Sequence, residues 1–139
     1  MTTHKRTPKA LQTEQKILQS AIMLFSEKGY EHTTTKEISE CADVAEGTVF
    51  KYFPTKLDIL SAVMHDFFQR LQATCETVID AEDDPYHQLR GLIREYVQFV
   101  ATEWNVARII GQYGRYGDDE AFVAQFYEYN RAYIAVFTE

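Results

Sequence analysis

The chain of 139 residues has only two cysteines, three prolines and six glycines, and it has no long apolar run. A membrane-spanning helix needs about 20 consecutive apolar residues, and the N-terminal sequence MTTHKRTPKALQTEQK also lacks the apolar core of a signal peptide. Cys41 and Cys75 have neither a metal-ligand spacing nor a disulfide framework around them. These absences predict a cytoplasmic protein that does not act at membranes.

Motifs for catalysis and for metal binding are also missing. The four histidines, His4, His32, His65 and His87, are scattered, and no pair has the spacing of metal ligands. Neither a glycine-rich phosphate loop, nor a nucleophile elbow, nor a metal-protease helix is found. The sequence therefore predicts no metal, no cofactor and no enzymatic activity.

No lysine occurs after Lys56. Residues 1–56 contain eight lysines and arginines against seven acids, a net charge of +1, whereas residues 57–139 contain six arginines against fourteen acids, a net charge of −8. Because charge attraction is screened beyond about 10 Å at ordinary salt, an acidic second half does not prevent the first half from binding a polyanion. The asymmetry predicts two functional parts; chance unevenness in a small acidic protein is the alternative.

Apolar residues recur at the spacing of helical faces along the whole chain, and no strand pattern competes with them. A first helix is predicted over residues 13–28, with Gly29 at its end. Thr34 and Glu37 have the spacing of a capping box, which predicts the start of a second helix. Cys41 is expected on the buried face of that helix.

The next segment has the features of a sharp turn followed by a short helix. Asp43 stands at the turn, since aspartate tolerates a left-handed backbone better than most residues. The third helix is predicted over residues 46–52 and ends before Pro54. Two short helices around a tight turn form a helix-turn-helix, the motif that places one helix in the major groove of DNA.

The second half is predicted to contain three further helices. The first begins after Thr55 and ends near Val78, the next spans residues 86–110, and the last runs from Ala121 to the final residue. The segment GQYGRYGDDE is expected to break the helix before the last one. The predicted fold is all-α, with an N-terminal three-helix helix-turn-helix domain over residues 1–56 and a helical domain over residues 57–139.

One stretch of the chain resembles the TetR family of bacterial transcriptional regulators. The resemblance covers residues 11–65 and rests on Gly29-Tyr30, Thr33-Thr34, Ile38, Val44, the run GTVFKYFPTK at residues 47–56, and Ile59-Leu60. It implies a DNA-binding regulator, favoured as a repressor, that binds a near-palindromic operator as a homodimer and is released by a small-molecule effector. The alternative is a helical protein–protein interaction module with a non-functional DNA-binding head.

The resemblance implies that the second domain binds the effector and dimerises. The helical pattern is still running at the last residues, AVFTE, where members of the family continue through further helices. Either the chain is shortened, or dimerisation uses other surfaces.

Three residues depart from the usual family pattern around the third helix. Ala45 stands where a serine or threonine commonly caps this helix, and Phe50 replaces a tyrosine that often reaches phosphate. Glu46 stands where many members carry a basic or polar residue. An acid there suits the helix dipole but repels phosphate, so a cytosine amino group is its expected partner.

The DNA-contacting residues are expected on the second and third helices and at the start of the fourth. Gly47 and Thr48 let the backbone approach base edges, and Lys51 is expected against phosphate or a guanine edge; the alternatives are packing for Gly47 and a solvated side chain for Lys51. The full set is Thr33, Thr34, Thr35, Lys36, Glu46, Gly47, Thr48, Phe50, Lys51, Tyr52 and Lys56.

Other expected contacts are with the DNA backbone. Tyr52 and Lys56 are expected as clamps, and residues 33–36 gather hydroxyls, free amides and a charge into an anion site, although Thr34 is also fully explained as a helix cap. Lys5, Arg6 and Lys9 form either a basic arm along DNA or an idle tail.

Aromatic residues are dense in the second half of the chain. They predict a pocket for an apolar or aromatic small molecule, with an aromatic core or a partner surface as the alternative. The residues expected to line the pocket are Phe67, Trp104, Tyr113, Phe122 and Phe126.

Overall fold

A computed structural model describes residues 7–135, apart from the side chains of residues 115 and 116. These residues form helices and no strand, so the all-α prediction is confirmed. The expected arm residues Lys5 and Arg6 and the last residues of the chain, 136–139, lie outside the described part. The helices are α1 (Pro8–Lys28), α2 (Thr35–Cys41), α3 (Glu46–Tyr52), α4 (Lys56–Ala81), α5 (Pro85–Thr102), α6 (Trp104–Tyr116) and α7 (Glu120–Ala135).

The chain divides into two compact units, the first ending at Ala62 and the second beginning at Val63. The division falls inside α4, which therefore belongs to both units. None of the helices that the structure describes is long and apolar enough to cross a membrane.

The first helix starts five residues before its predicted position. Thr7 caps it, with its hydroxyl oxygen accepting from the amide of Ala10 at 3.3 Å, and Pro8 occupies the first helical position, which needs no amide donor. The prediction places the start of α1 too late because the apolar periodicity begins only after the first residues of the helix. The predicted end at Gly29 is confirmed, since this residue adopts a φ of 87°.

The helix-turn-helix forms as predicted. The capping box of Thr34 and Glu37 is present, Asp43 turns the chain with a φ of 54°, and α3 has the predicted bounds. Ala45 is the N-cap residue of α3 and makes no side-chain hydrogen bond, because a methyl group has no acceptor atom. The buried apolar core of this unit is formed by Ile17, Ala21, Phe25, Ile38, Ala42, Val49, Phe53, Ile59 and Leu60.

The expected burial of Cys41 is wrong. Ile38 and Ala42, one helical turn apart, occupy the inward face of α2 and its end, and Cys41 is exposed. Neighbouring positions on a helix are rotated by about 100°, and here the rotation turns Ala42 towards the core and Cys41 away from it.

The predicted helix over residues 86–110 is in fact two helices. The chain breaks at Glu103, whose backbone has a φ of −98° and a ψ of 26°. No glycine or proline marks this position. The side chain of Glu103 accepts a hydrogen bond from Nη1 of Arg70 in α4 at 2.6 Å, so a long-range ion pair accompanies the break.

The predicted break at the glycine-rich segment comes later than expected. Helix α6 continues through Gly111 and Gly114 and ends before Gly117. A β-carbon at Gly114 would overlap the ring of Phe126, so glycine here allows α7 to pack closely against α6. The buried side chains of the second unit are Val63, Met64, Phe67, Phe68, Leu71, Cys75, Leu92, Val106, Ile109, Ile110, Phe122 and Phe126.

The contrast between two glycines of α6 gives a test of this packing. We expect Gly114→Ala to lower the free energy of unfolding by about 1–3 kcal/mol, because the added methyl group overpacks the contact with Phe126. Gly111→Ala is the control: its β-carbon meets nothing within 4 Å, so better helix propensity should raise stability by up to about 1 kcal/mol. Urea unfolding of both variants measures the difference, and equal effects would contradict the close packing.

Candidate nucleic-acid interface and cavity

The outward face of α3 is polar and open at its leading end. Val49 is fully buried and fixes the helix on the core, so the residues on the other side of the helix face away from it. The exposed residues are Glu46, Gly47, Phe50 and Lys51, and Thr48 and Tyr52 are half-buried at the margins.

Gly47 has no packing role in this structure. A β-carbon built there meets nothing within 4 Å, so a larger residue would fit the fold. Glycine inside a helix costs about 1 kcal/mol relative to alanine. The packing alternative for Gly47 therefore has no support in the described structure.

Phe50 is 45% exposed. It lies one turn after Glu46 on the outward face of α3. An apolar ring at this position cannot donate to phosphate, but it can contact a thymine methyl group.

Glu46 and Thr35 are brought together. The hydroxyl of Thr35 donates to Oε1 of Glu46 at 3.1 Å and links the start of α2 to the start of α3. This carboxylate, predicted to accept from a cytosine amino group, therefore has an internal partner that links the two helices.

The start of α2 is held by charge and by capping. The amide of Thr34 donates to Oε2 of Glu37 at 2.9 Å, and the amide of Glu37 donates back to the Thr34 hydroxyl oxygen at 3.2 Å. Lys28 forms an ion pair with the same carboxylate. These donors, Lys28 first, lower the pKa of Glu37 to about 2. Lys36, one residue earlier on α2, is exposed.

Thr33 and Lys56 have internal partners. The hydroxyl of Thr33 is buried and donates to the carbonyl of Gly29 at 2.8 Å. Nζ of Lys56 donates to the carbonyls of Tyr30 at 2.7 Å and Thr33 at 3.0 Å, and it lies 4.2 Å from the centroid of the Tyr30 ring. Because the loop after α1 leaves carbonyls without helical partners, Lys56 supplies the donors that this loop needs.

The second unit contains a cavity of about 260 Å³. Of the five residues expected to line it, Phe67, Trp104 and Phe126 do so, whereas Phe122 is buried in the core and Tyr113 lies half-buried elsewhere. Sequence reasoning missed the other lining residues, although several recur at helical spacing on α6. These are Phe68, Leu71, Tyr96, Val100, Ala107, Arg108, Ile110, Gly111, Asn130 and Tyr133.

The cavity wall is mainly apolar, with six aromatic residues among its thirteen, and it has a few polar groups. Tyr96 stacks on Tyr133 with ring centroids 5.2 Å apart, and burial raises the pKa of Tyr133. Asn130 donates to the carbonyl of Phe126 at 2.8 Å. Such a cavity suits a compact apolar or aromatic molecule. Among the residues that the structure describes, no group of histidine, cysteine and acidic side chains is arranged to hold a metal ion.

Arg70 joins α4 to the junction of α5 and α6. Its Nε donates to Asp66 at 2.9 Å on the same helix, and its Nη1 donates to Glu103 at 2.6 Å. These carboxylates, Glu103 first, raise the pKa of Arg70. Arg70 is followed in sequence by Leu71 and Glu103 by Trp104, and both of these neighbours line the cavity.

Comparison with known proteins places the helix-turn-helix in a family. Residues 17–63 match the family model described as "Bacterial regulatory proteins, tetR family". Residues 17–63 thus form a TetR-family helix-turn-helix. The matched residues run from α1 into α4 and include the whole outward face of α3.

Two curated relatives and one solved structure illustrate the similarity. The chain is 32% identical over 78 residues to the HTH-type transcriptional repressor KstR of Mycolicibacterium smegmatis, covering 56% of this chain and 38% of KstR. It is 34% identical over 100 residues to the probable HTH-type transcriptional regulator YttP of Bacillus subtilis, covering 70% and 48%. The structure of a tetR-family protein from Rhodococcus RHA1 matches with a TM-score of 0.80 and 27% identity, covering 91% of this chain and 66% of that one.

The chain thus spans about half the length, or less, of these two curated relatives. The likeness to the Rhodococcus TetR-family structure extends over most of the present chain, so it includes helices of the second unit as well as the helix-turn-helix.

The internal role of Lys56 in this TetR-family head can be separated from a role at DNA. We expect Lys56→Ala to lower the free energy of unfolding by about 1–3 kcal/mol, because buried carbonyls lose a charged donor. Lys51→Ala is the matched control, since its side chain is exposed on α3, and it should leave stability within about 0.5 kcal/mol. Thermal unfolding without DNA measures both, and an unchanged Lys56→Ala variant would contradict the internal role.

Proposed function

We propose that this chain is a transcriptional regulator that represses genes by binding a near-palindromic DNA operator as a homodimer in the cytoplasm. An apolar or aromatic small molecule bound in the second unit releases it. The single observation that carries the proposal is the outward face of α3, where an uncovered Gly47 lies beside exposed Lys51 on a helix anchored by buried Val49.

The charges of the head support DNA binding despite the acidic chain. The carboxylate of Glu37 is neutralised by Lys28, and that of Glu46 accepts from Thr35. Lys36 and Lys51 remain exposed on α2 and α3. Because phosphate attraction depends on the local field, these two lysines count for more than the net charge of −7.

The expected DNA contacts divide into three groups. Lys36, Lys51 and Tyr52 contact phosphate, where charge and a hydroxyl serve without regard to sequence. Gly47, Thr48 and Phe50 approach base edges in the major groove. The third group positions the phosphate-contacting and base-contacting residues through internal hydrogen bonds, and any DNA contact of its own is secondary. Its members are Thr33, Thr34, Thr35, Glu46 and Lys56.

Repression by a homodimer is supported by the relatives and by groove geometry. KstR is named a transcriptional repressor. Two copies of α3 reach successive major grooves only when they lie about 34–36 Å apart, so a homodimer should select a near-palindrome with that half-site spacing.

Release by an effector is supported by the cavity and by the helix that borders it. Phe67 and Leu71 on α4 line the cavity together with Trp104 and Ala107 on α6, and Arg70 forms an ion pair with Glu103 at the start of α6. A molecule that separates these walls moves α4, the helix that begins in the DNA-binding unit. The effector shifts the protein only by binding the released state more tightly than the DNA-bound state.

Selection of bound DNA from a random library tests the proposal as a whole. A regulator enriches one palindromic site, and the half-site spacing and the mass of the complex then give the oligomer. A helical interaction module with a non-functional head, the competing function, binds no sequence preferentially. KstR is named a transcriptional repressor and YttP a probable transcriptional regulator, which favours the first outcome over the second and over an enzyme.

A substitution at Gly47 separates DNA affinity from stability. We expect Gly47→Ala to raise the free energy of unfolding by up to about 1 kcal/mol through helix propensity. It should weaken operator binding roughly tenfold, because the added methyl group holds the backbone away from the base edges. Fluorescence anisotropy with the selected operator measures the affinity.

Two further variants are compared with Gly47→Ala, the first as a control for helix propensity and the second as a test of phosphate contact. Gly111→Ala gains helix propensity in the second unit and should keep full operator affinity. Lys51→Ala should weaken binding to all sequences and reduce the salt slope by about one. Unchanged operator affinity in both Gly47→Ala and Lys51→Ala would refute the assignment of α3 as the recognition helix.

Trp104 provides a direct signal for the proposed effector site, because it is the only tryptophan in the chain and it lines the cavity. We expect compact aromatic compounds that release the operator to change its fluorescence at the same concentrations. Gly111→Leu should abolish both effects by filling the cavity, since the space beyond its α-carbon is open. Ala124→Leu, at an exposed position of α7, is the size-matched control. Release that persists in Gly111→Leu would place the effector elsewhere.

A further inference from the structure

The outward face of α3 carries two rows of different chemistry. Residues four apart on a helix lie on the same face, one turn after another. Glu46 and Phe50 therefore form one row, and Gly47 and Lys51 form the other, with all four residues exposed. A lysine is attracted to phosphate, whereas a carboxylate and an apolar ring offer phosphate no donor. The row of Glu46 and Phe50 is therefore suited to base edges.

Thr35 decides which oxygen of Glu46 is available to a base. Its hydroxyl donates to Oε1 of Glu46 at 3.1 Å. Among the residues that the structure describes, the other oxygen, Oε2, has no hydrogen-bond partner. A side chain held by such a supporting hydrogen bond keeps a narrow range of orientations. Glu46 therefore presents one positioned acceptor, and a carboxylate has no donor to offer beside it.

A single acceptor distinguishes between bases in the major groove. Guanine and thymine present acceptors there, and these repel a carboxylate, whereas cytosine and adenine present amino groups. At adenine the N7 acceptor lies beside the amino group, while cytosine has no acceptor in the corresponding place. Cytosine is therefore the base that suits Glu46 best. The contact adds little affinity, because the carboxylate also repels the phosphates, but it decides which base is accepted.

Phe50 extends the pattern along the groove. Four residues of a helix advance about 6 Å along its axis, which is close to the rise of two base pairs at about 3.4 Å each. The ring of Phe50 is apolar, and the apolar group that base edges offer in the major groove is the thymine methyl. The two members of this row therefore suit two different bases, about two base pairs apart.

We propose that Thr35 and Glu46 together select a cytosine in each operator half-site, and that Phe50 selects a thymine about two base pairs away. Thr35 is a positioning residue, since it acts through the carboxylate of Glu46. This base preference rests on the proposed DNA-binding function. It concerns a single half-site and three residues of the first unit, so it depends neither on dimerisation nor on the effector.

Selection from a random DNA library, made with the full chain and its variants, tests the base preference. We expect the chain to enrich cytosine roughly tenfold over other bases at one position. Glu46→Gln keeps an oxygen for Thr35 and turns an amide NH2 outward, so cytosine should lose its advantage to guanine or thymine, which offer acceptors. Thr35→Val should reduce the cytosine preference severalfold, and Thr35→Ser should restore it. Each preference is a ratio between bases, so a variant of lower stability still reports it.

Glu40→Gln is the control for charge. Glu40 is exposed on α2 and belongs to none of the proposed contacts. Its substitution removes the same charge as Glu46→Gln and should leave the cytosine preference unchanged. Any gain in affinity from the lost charge should be equal for all sequences.

Replacing the selected thymine by uracil tests Phe50, because only the methyl group is removed. Binding of the chain should weaken roughly fourfold. Phe50→Ala should bind the thymine and uracil forms of the site equally, with fluorescence anisotropy as the measurement.

The outcomes separate the base preference from the DNA binding on which it rests. A library from which the chain enriches no sequence would refute DNA recognition, and the base preference with it. An enriched site without the cytosine, or with a cytosine preference that persists in Glu46→Gln, would overturn the role of Glu46 alone. A full cytosine preference in Thr35→Val would remove the positioning role of Thr35. Equal binding of thymine and uracil by the unsubstituted chain would exclude the methyl contact of Phe50.

Discussion

Two helices of seven residues each carry most of the surface proposed to meet DNA, and neither length is stable as an isolated helix in water. Their position therefore depends on the rest of the first unit. Ile38 and Val49 are fully buried and attach α2 and α3 to the core. At the other end of the unit, Lys56 satisfies the loop that leads into α2. The shape of the candidate interface depends on these buried contacts more than on any exposed side chain.

Internal contacts also bear on how an acidic protein can present a surface to DNA. Carboxylates on α2 and α3 are used as internal acceptors: Glu37 for its own helix start and for Lys28, and Glu46 for Thr35. Each such bond fixes a helix terminus and reduces the field that the carboxylate presents outside. The Lys28–Glu37 pair removes one base together with one acid, so residues 1–56 keep a net charge of +1, and the exposed face of α3 carries one acid, Glu46, and one base, Lys51. The attraction of DNA therefore depends on where Lys36 and Lys51 lie rather than on an excess of charge.

Local signals predicted the first unit well, because its boundaries depend on residues close in sequence. The capping box at Thr34, the turn at Asp43 and the end of α3 before Pro54 are all of this kind. The helix break at Glu103 could not be predicted from the sequence, because the residue that Glu103 pairs with, Arg70, is 33 residues away. The phosphate contact predicted for Lys56 stays a prediction. Its hydrogen bonds to the carbonyls of the α1–α2 loop could not be predicted from the sequence, because only the fold brings those carbonyls to it.

The arrangement around Arg70 also limits how an effector can act. A molecule in a cavity of about 260 Å³ touches α4 through Phe67 and Leu71. Arg70 lies between them and holds α4 to Glu103. If the ion pair stays intact, α4 can pivot about it but cannot translate away from the α5–α6 junction. If the effector breaks the pair, the half-buried carboxylate loses a charged donor, at a cost that falls on the released state. Only in this second case does the ion pair change the differential affinity on which the proposed release depends, and it does so although neither residue needs to touch the effector.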